Sequence, residues 1–198
     1  PVDYYAHSSG QMKYWPQFLN EILQEDEEAI ALLQEWFGAC IVGDTRYHKI
    51  LCLHGERRSG KGTILKILTA LLGEEAVFSP TFRQLQTAFG RSGLIGKSLL
   101  CIADMRVGKR ADSLPVVEDL LTMSGGDVQT IPRKYKEDWV GYLNANIMLI
   151  SNALPELPDA SGAIASRMLP LHLPVSHLGS ENLSLVQNLL MELPMILR

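Results

Sequence analysis

The residues with the most chemical content lie in one run, Leu51-Cys52-Leu53-His54-Gly55-Glu56-Arg57-Arg58-Ser59-Gly60-Lys61-Gly62-Thr63. An apolar, strand-sized stretch leads into a loop bounded by Gly55 and Gly60, and the loop opens a segment of helical period. This context suits a nucleoside triphosphate. Glycines let backbone N–H groups curl round a phosphate, the helix start adds partial positive charge, and Lys61 reaches the β- and γ-oxygens. Residues Gly55, Glu56, Arg57, Arg58, Ser59, Gly60, Lys61, Gly62 and Thr63 are therefore the candidate nucleotide-binding set, with ATP as the expected ligand. A Mg²⁺ ligand normally follows the lysine directly, and Gly62 stands there instead. Thr63 is the nearest hydroxyl, and one residue further along a helix turns about 100° away. Either Thr63 and water complete the magnesium shell, or metal binding is weaker.

Hydrolysis needs a carboxylate at the end of a neighbouring strand, to hold the magnesium shell and orient water. Asp104 follows the apolar run Lys97–Ala103 and fills that place, as candidate catalytic and metal-binding residue. The plainer reading is an acid capping the next loop. Met105 follows it, so any second acid must come from further off, such as Asp112 or Glu118. Asn152, after the apolar run 146–151, is placed to sense a γ-phosphate, although an Asn before a loop also forms turns. Arg167 precedes Met168-Leu169-Pro170-Leu171, and its planar, permanently charged fork suits transition-state charge across a subunit boundary. A salt-bridged surface arginine would look the same.

The elements that must carry these groups alternate. Pro16 to about Val42 is helical in period, Lys49–His54 reads as a buried strand and 61–72 as a helix ending at Gly73. Thr81–Phe89 reads as a second short helix, Lys97–Ala103 as a strand, and Ser113–Met123 as a helix with Ser113 as its N-cap. Residues 128–140 mix β-formers with charge, as a hairpin does. Asn146–Ser151 and Met168–Leu173 are further strands. The fold class is α/β, a mostly parallel sheet flanked by helices, with a small helical N-terminal portion.

Composition sets limits. The chain has 198 residues, 46% of them hydrophobic and 20% charged, enough apolar material for a real core. A net charge of −4 excludes a protein that is basic all over, so any nucleic-acid contact must be local. The acids Glu21, Glu25, Asp26, Glu27 and Glu28 read as a solvated helix face. Cys40, Cys52 and Cys101 lie apart among apolar neighbours and read as buried free thiols of a reducing compartment. No apolar run reaches the length that spans a bilayer, and no signal-peptide pattern opens the chain, so a soluble, intracellular protein is expected. The chain starts without Met and stops inside an apolar, helix-like run, which reads as a fragment of a longer protein.

With these residues in order, the chain resembles the superfamily 3 helicases, specifically the helicase domain of phage and plasmid primases of the P4 and D5 type. The likeness covers nearly the whole length. Phe18-Leu19 through Leu33-Gln34-Glu35-Trp36-Phe37-Gly38 resembles the helical region before the motor, and Gly60-Lys61-Gly62-Thr63 is a familiar variant of the family's phosphate loop. Asp104 stands where the family places its Walker B acid, often a longer glutamate. Met123-Ser124-Gly125-Gly126-Asp127 followed by Arg133-Lys134-Tyr135-Lys136 resembles the motif before sensor 1. Asn152 with Leu154-Pro155 matches the sensor asparagine, and Arg167 with Met168-Leu169-Pro170 matches the arginine finger. Leu189 to Pro194 resembles the helix that follows.

The resemblance implies an AAA+-like P-loop fold, with residues 1–46 as the helical region and 47–198 as the ATPase domain, truncated at its C-terminus. It implies ATP and Mg²⁺ as cofactors and a hexameric ring travelling 3′→5′ on single-stranded DNA. It also implies an upstream primase domain, a role in replicating a mobile element, and residence in a bacterial cytoplasm. Arg133, Lys134, Tyr135 and Lys136 would lie on a hairpin in the ring's channel. Both lysines would share one face of an extended strand and the tyrosine would stack on a base. A solvated hairpin balanced by Glu137 and Asp138 is the plainer alternative. For the chain as a whole, rival readings are another P-loop ATPase or kinase, and a nucleotide-dependent assembly module with little turnover.

Overall fold

The structure, a computed structural model, describes residues 12–103, 110–155, 157 and 161–197, and no side chains at 110–113. Among the described residues there are seven strands: β1 (Ile50–Gly55), β2 (Val77–Phe78), β3 (Leu99–Ala103), β4 (Val128–Arg133), β5 (Lys136–Tyr142), β6 (Asn146–Ser151) and β7 (Met168–Leu173). The α-helices are α1 (Tyr14–Ile22), α2 (Glu27–Val42), α3 (Lys61–Leu72), α4 (Phe82–Leu85), α5 (Arg110–Gly125), α6 (Ala163–Arg167), α7 (Leu185–Met191) and α8 (Leu193–Ile196).

Five strands form one parallel sheet in the order β2-β3-β6-β1-β7. The expected mostly parallel α/β architecture is observed. Its central strands are apolar on both faces because each face is covered. Leu51 and Leu53 of β1, with Leu99, Met148 and Leu171, point into a core shared with α1, α2, α3, α7 and α8. Ile50 and Cys52, with Leu100, Ile102, Ile147 and Leu149, point to a second core with α4, α5 and Ile131 of β4. Strand side chains alternate between faces, so one sheet serves both. Each Leu or Ile fully buried this way contributes about 1.5–3 kcal/mol of transfer free energy.

Several elements depart from the sequence reading. The helical stretch from Pro16 to Val42 is two helices, broken where Gln24 and Glu25 take left-handed φ values of 53° and 61°. Asp26 then caps α2 by accepting the Ala29 N–H at 3.0 Å, and Glu27 and Glu28 fill the first turn, where acids favour the helix dipole. The expected helix over Thr81–Phe89 shrinks to Phe82–Leu85, opened by a Thr81/Gln84 capping box. α5 begins at Arg110, so Ser113 lies within it rather than at its cap. α7 and α8 replace the single expected C-terminal helix and are separated at Glu192. All three cysteines are buried and free. No described helix is long and apolar enough to cross a membrane.

Candidate nucleotide site

β1 ends at Gly55, α3 starts at Lys61, and the loop between them sits at the carboxyl edge of the sheet. Glycine is required at 55 by a close approach: a Cβ there would lie 2.2 Å from the carbonyl oxygen of Leu173 on β7. Gly60 takes a left-handed φ of 94°, and a Cβ on it would press Ile22 and Phe18 of α1 at 3.1 and 3.2 Å. Arg58 is also left-handed, at φ 60°. Segment 174–181 ties the loop down. Ser176 Oγ donates to Arg57 O at 2.8 Å, His177 N donates to Arg58 O at 3.1 Å, and Arg58 pairs with Glu181 at 3.3 Å.

Lys61 is 8% exposed, and its Nζ donates to Gly55 O at 2.7 Å, Glu56 O at 2.6 Å and Ser59 Oγ at 3.0 Å. Desolvation holds its pKa below the usual lysine value, opposed in part by the Glu56 charge. These three acceptors are carbonyls and a hydroxyl, so the ammonium is buried without an anion among them. A buried cation of this kind favours an anionic ligand, and the chemistry of the loop fits a polyphosphate. Gly62 faces open space, and Thr63 is half-buried in the first turn of α3.

His54, one residue before the loop, stacks on His172 of β7 with ring centroids 4.8 Å apart. Its pKa is lowered by burial first, then by the His172 and Lys61 charges, so protonating it is unfavourable beside Lys61.

The remaining candidates fall in different places. Asn152 is exposed and directly follows Ser151, which pairs with His54, so it stands level with Gly55 at the same sheet edge. Asp104 lies outside the described residues. The strand leading to Asp104 ends at Ala103, paired with Ile150, on that same edge. Arg167 is at the opposite edge, because Met168 pairs with Ile50 at the start of β1. Its Nη1 donates to Leu121 O and, at 2.8 Å, to Ser124 Oγ, at the C-terminal end of α5.

Arg133 to Lys136 form the tip of the separate β4–β5 hairpin, and buried Ile131, paired with Trp139, lies just behind that tip. The extended-strand geometry expected for Lys134 and Lys136 is not found. Lys134 and Tyr135 are the two turn residues between paired Arg133 and Lys136, so the lysines do not alternate along one strand. Tyr135 is 92% exposed at a left-handed φ of 61°, with Lys134 Nζ 5.0 Å from its ring centre. A bulky aromatic seldom occupies that conformation.

Residues to which the sequence reading gives no part in the site also shape it: Phe18 and Ile22 against Gly60, Ser176 and His177 on the loop carbonyls, and Glu192. No local pattern signals that part, since each acts on a segment remote in the chain.

Residues 53–167 match a family described as a family of unknown function, DUF5906. Among solved structures, the apo NrS-1 C-terminal region (305-718) superposes with a TM-score of 0.77 at 16% identity, covering 93% of this chain and 44% of that one. The JCV helicase does so with a TM-score of 0.64 at 16% identity, covering 97% of this chain and 55% of that one. The chain thus spans about half the length of these structures, and at such identities the likeness concerns the fold.

Proposed function

The chain belongs to the DUF5906 family, and we propose that this domain is the ATP-driven motor of a DNA helicase that serves replication of a mobile element. The observation that carries the proposal is Lys61: a buried ammonium, held by neutral oxygens, inside a glycine-bounded loop between a parallel strand and a helix. That arrangement suits a triphosphate. The fold shared with the JCV helicase adds support for a helicase-type role.

In this proposal Gly55 to Thr63 cradle the phosphates of ATP, and Lys61 exchanges its loop oxygens for β- and γ-oxygens. Thr63 and Asp104 hold Mg²⁺, which supplies charge neutralisation at the phosphates when bound. Asp104 also orients the attacking water, and Asn152 reads whether a γ-phosphate is present. Arg167 serves the neighbouring subunit's site in a homo-oligomeric, hexameric ring. The tip Arg133-Lys134-Tyr135-Lys136 contacts single-stranded DNA, and its displacement with the nucleotide state draws the strand through in the 3′→5′ direction. Residues 1–46 act as the helical region preceding the motor at 47–198, with a primase domain upstream and the bacterial cytoplasm as the setting.

The test is turnover of ATP with and without single-stranded DNA, alongside mass in solution. A ring-sized species whose hydrolysis rises with DNA is the expected result. Hydrolysis indifferent to DNA would move the domain to another class of P-loop ATPase.

A further inference from the structure

Two charged side chains are buried among the described residues, Lys61 and Glu192. Glu192 is 4% exposed and sits in the break between α7 and α8. Its carboxylate accepts three consecutive backbone N–H groups at the start of α1. Lys13 N and Tyr14 N donate to Oε1 at 2.7 and 2.9 Å, and Trp15 N donates to Oε2 at 2.7 Å. α1 has no cap of its own: no side chain of its N-cap residue bonds back, and no acid stands in its first turn. The first N–H groups of a helix lack intrahelical acceptors and carry partial positive charge. Glu192 supplies both the acceptors and the opposing charge from the far end of the chain, through charge-assisted bonds.

The other end of α1 bears on the phosphate loop. Phe18 and Ile22 are buried and close over Gly60, the residue before Lys61, leaving no room for a Cβ without displacing them. α1 is therefore a strut of nine residues between a buried carboxylate and the phosphate loop. The segment that leads from β7 to α7 also grips the loop directly, through Ser176, His177 and Glu181.

We infer that Glu192 is a positioning residue for the phosphate loop: by anchoring α1 it seats Phe18 and Ile22 on Gly60 and holds the loop in its ligand-receiving shape. The nucleotide readout of this inference rests on the function proposed above, whereas its loop readout does not. Glu192→Gln keeps the volume but turns an amide toward three donors. Val117→Ala, in the second core away from α1, serves as a control that destabilises without touching the strut.

The experiment compares the full chain and both variants by hydrogen exchange over residues 55–63 without nucleotide, and by titration with a fluorescent ATP analogue. Glu192→Gln speeds exchange in the loop and weakens analogue binding by about threefold to tenfold, the effect of losing a helix cap's stabilisation. Val117→Ala lowers the melting temperature and leaves both unchanged. Loop exchange identical to the parent in Glu192→Gln, or equally faster in Val117→Ala, overturns the inference. A parent chain that binds no analogue defeats the nucleotide reading alone, and the exchange comparison still decides the role of Glu192. If Glu192→Gln does not fold, Glu192→Asp, which keeps the charge on a shorter stem, is expected to show the same changes to a smaller degree.

Discussion

Arg167 and Lys61 lie at opposite edges of one sheet. Met168 is level with Ile50 at the start of β1, and Lys61 follows the loop that leaves the end of that strand. A six-residue strand spans about 20 Å, so the guanidinium of one chain does not reach its own loop at residues 55–61. Any action of Arg167 on a nucleotide is then action in trans.

Arg167→Ala is therefore expected to leave ATP affinity within about twofold of the parent and to abolish DNA-stimulated turnover, since an arginine finger contributes to the transition state rather than to binding. It also removes the donor to Leu121 O and Ser124 Oγ, costing about 1–3 kcal/mol of stability, measurable by denaturant unfolding. Mixing Arg167→Ala with Lys61→Ala subunits recreates interfaces in which both residues are intact. Partial recovery of turnover is expected. No recovery, from mixed oligomers of parent size, would assign Arg167 to anchoring α5 alone.

The hairpin makes a separate prediction. Replacing Lys134 and Lys136 by Ala weakens single-strand binding and reduces the slope of log K against log salt by about 1.4, at ~0.7 per lost phosphate contact. Basal hydrolysis stays near the parent rate. Tyr135→Gly relieves the left-handed backbone yet weakens DNA binding, because the exposed ring is lost. Fluorescence anisotropy with a labelled single strand across a salt series reads all of this. Unchanged affinity in both variants removes the hairpin from the DNA path.

The thiols report on the core. Burial pushes Cys40 and Cys101 up to about 12 and Cys52 up to about 11, and the thiolate is the reactive form. At neutral pH none of the three should react with a thiol reagent in the folded protein within minutes, and all three should in denaturant. A thiol that reacts rapidly in the native state would contradict the packing of β1, β3 or α2.

Much of this architecture was legible because it is local. The apolar runs at 146–151 and 168–173 coincide with β6 and β7, and the helical period of 61–72 coincides with α3, since buried parallel strands and a glycine-stopped helix write themselves into short windows. The strand–loop–helix passage from β1 through Gly55 and Gly60 into α3 was legible for the same reason. β2, only two residues long, has too little pattern to be seen. The turn at Lys134-Tyr135 was missed because neither residue is a usual turn former. The capping of α1 by Glu192 and the hold of Arg167 on α5 join segments far apart in sequence, and no periodicity encodes such pairings.

The most direct test of the account is ATP hydrolysis by the parent chain and by Lys61→Ala, each with and without single-stranded DNA. The account predicts turnover in the parent that rises with DNA and falls to background in Lys61→Ala, because removing the buried ammonium removes the charge that meets the β- and γ-oxygens. Nucleotide binding with no turnover in the parent, or turnover that survives the substitution, would contradict it.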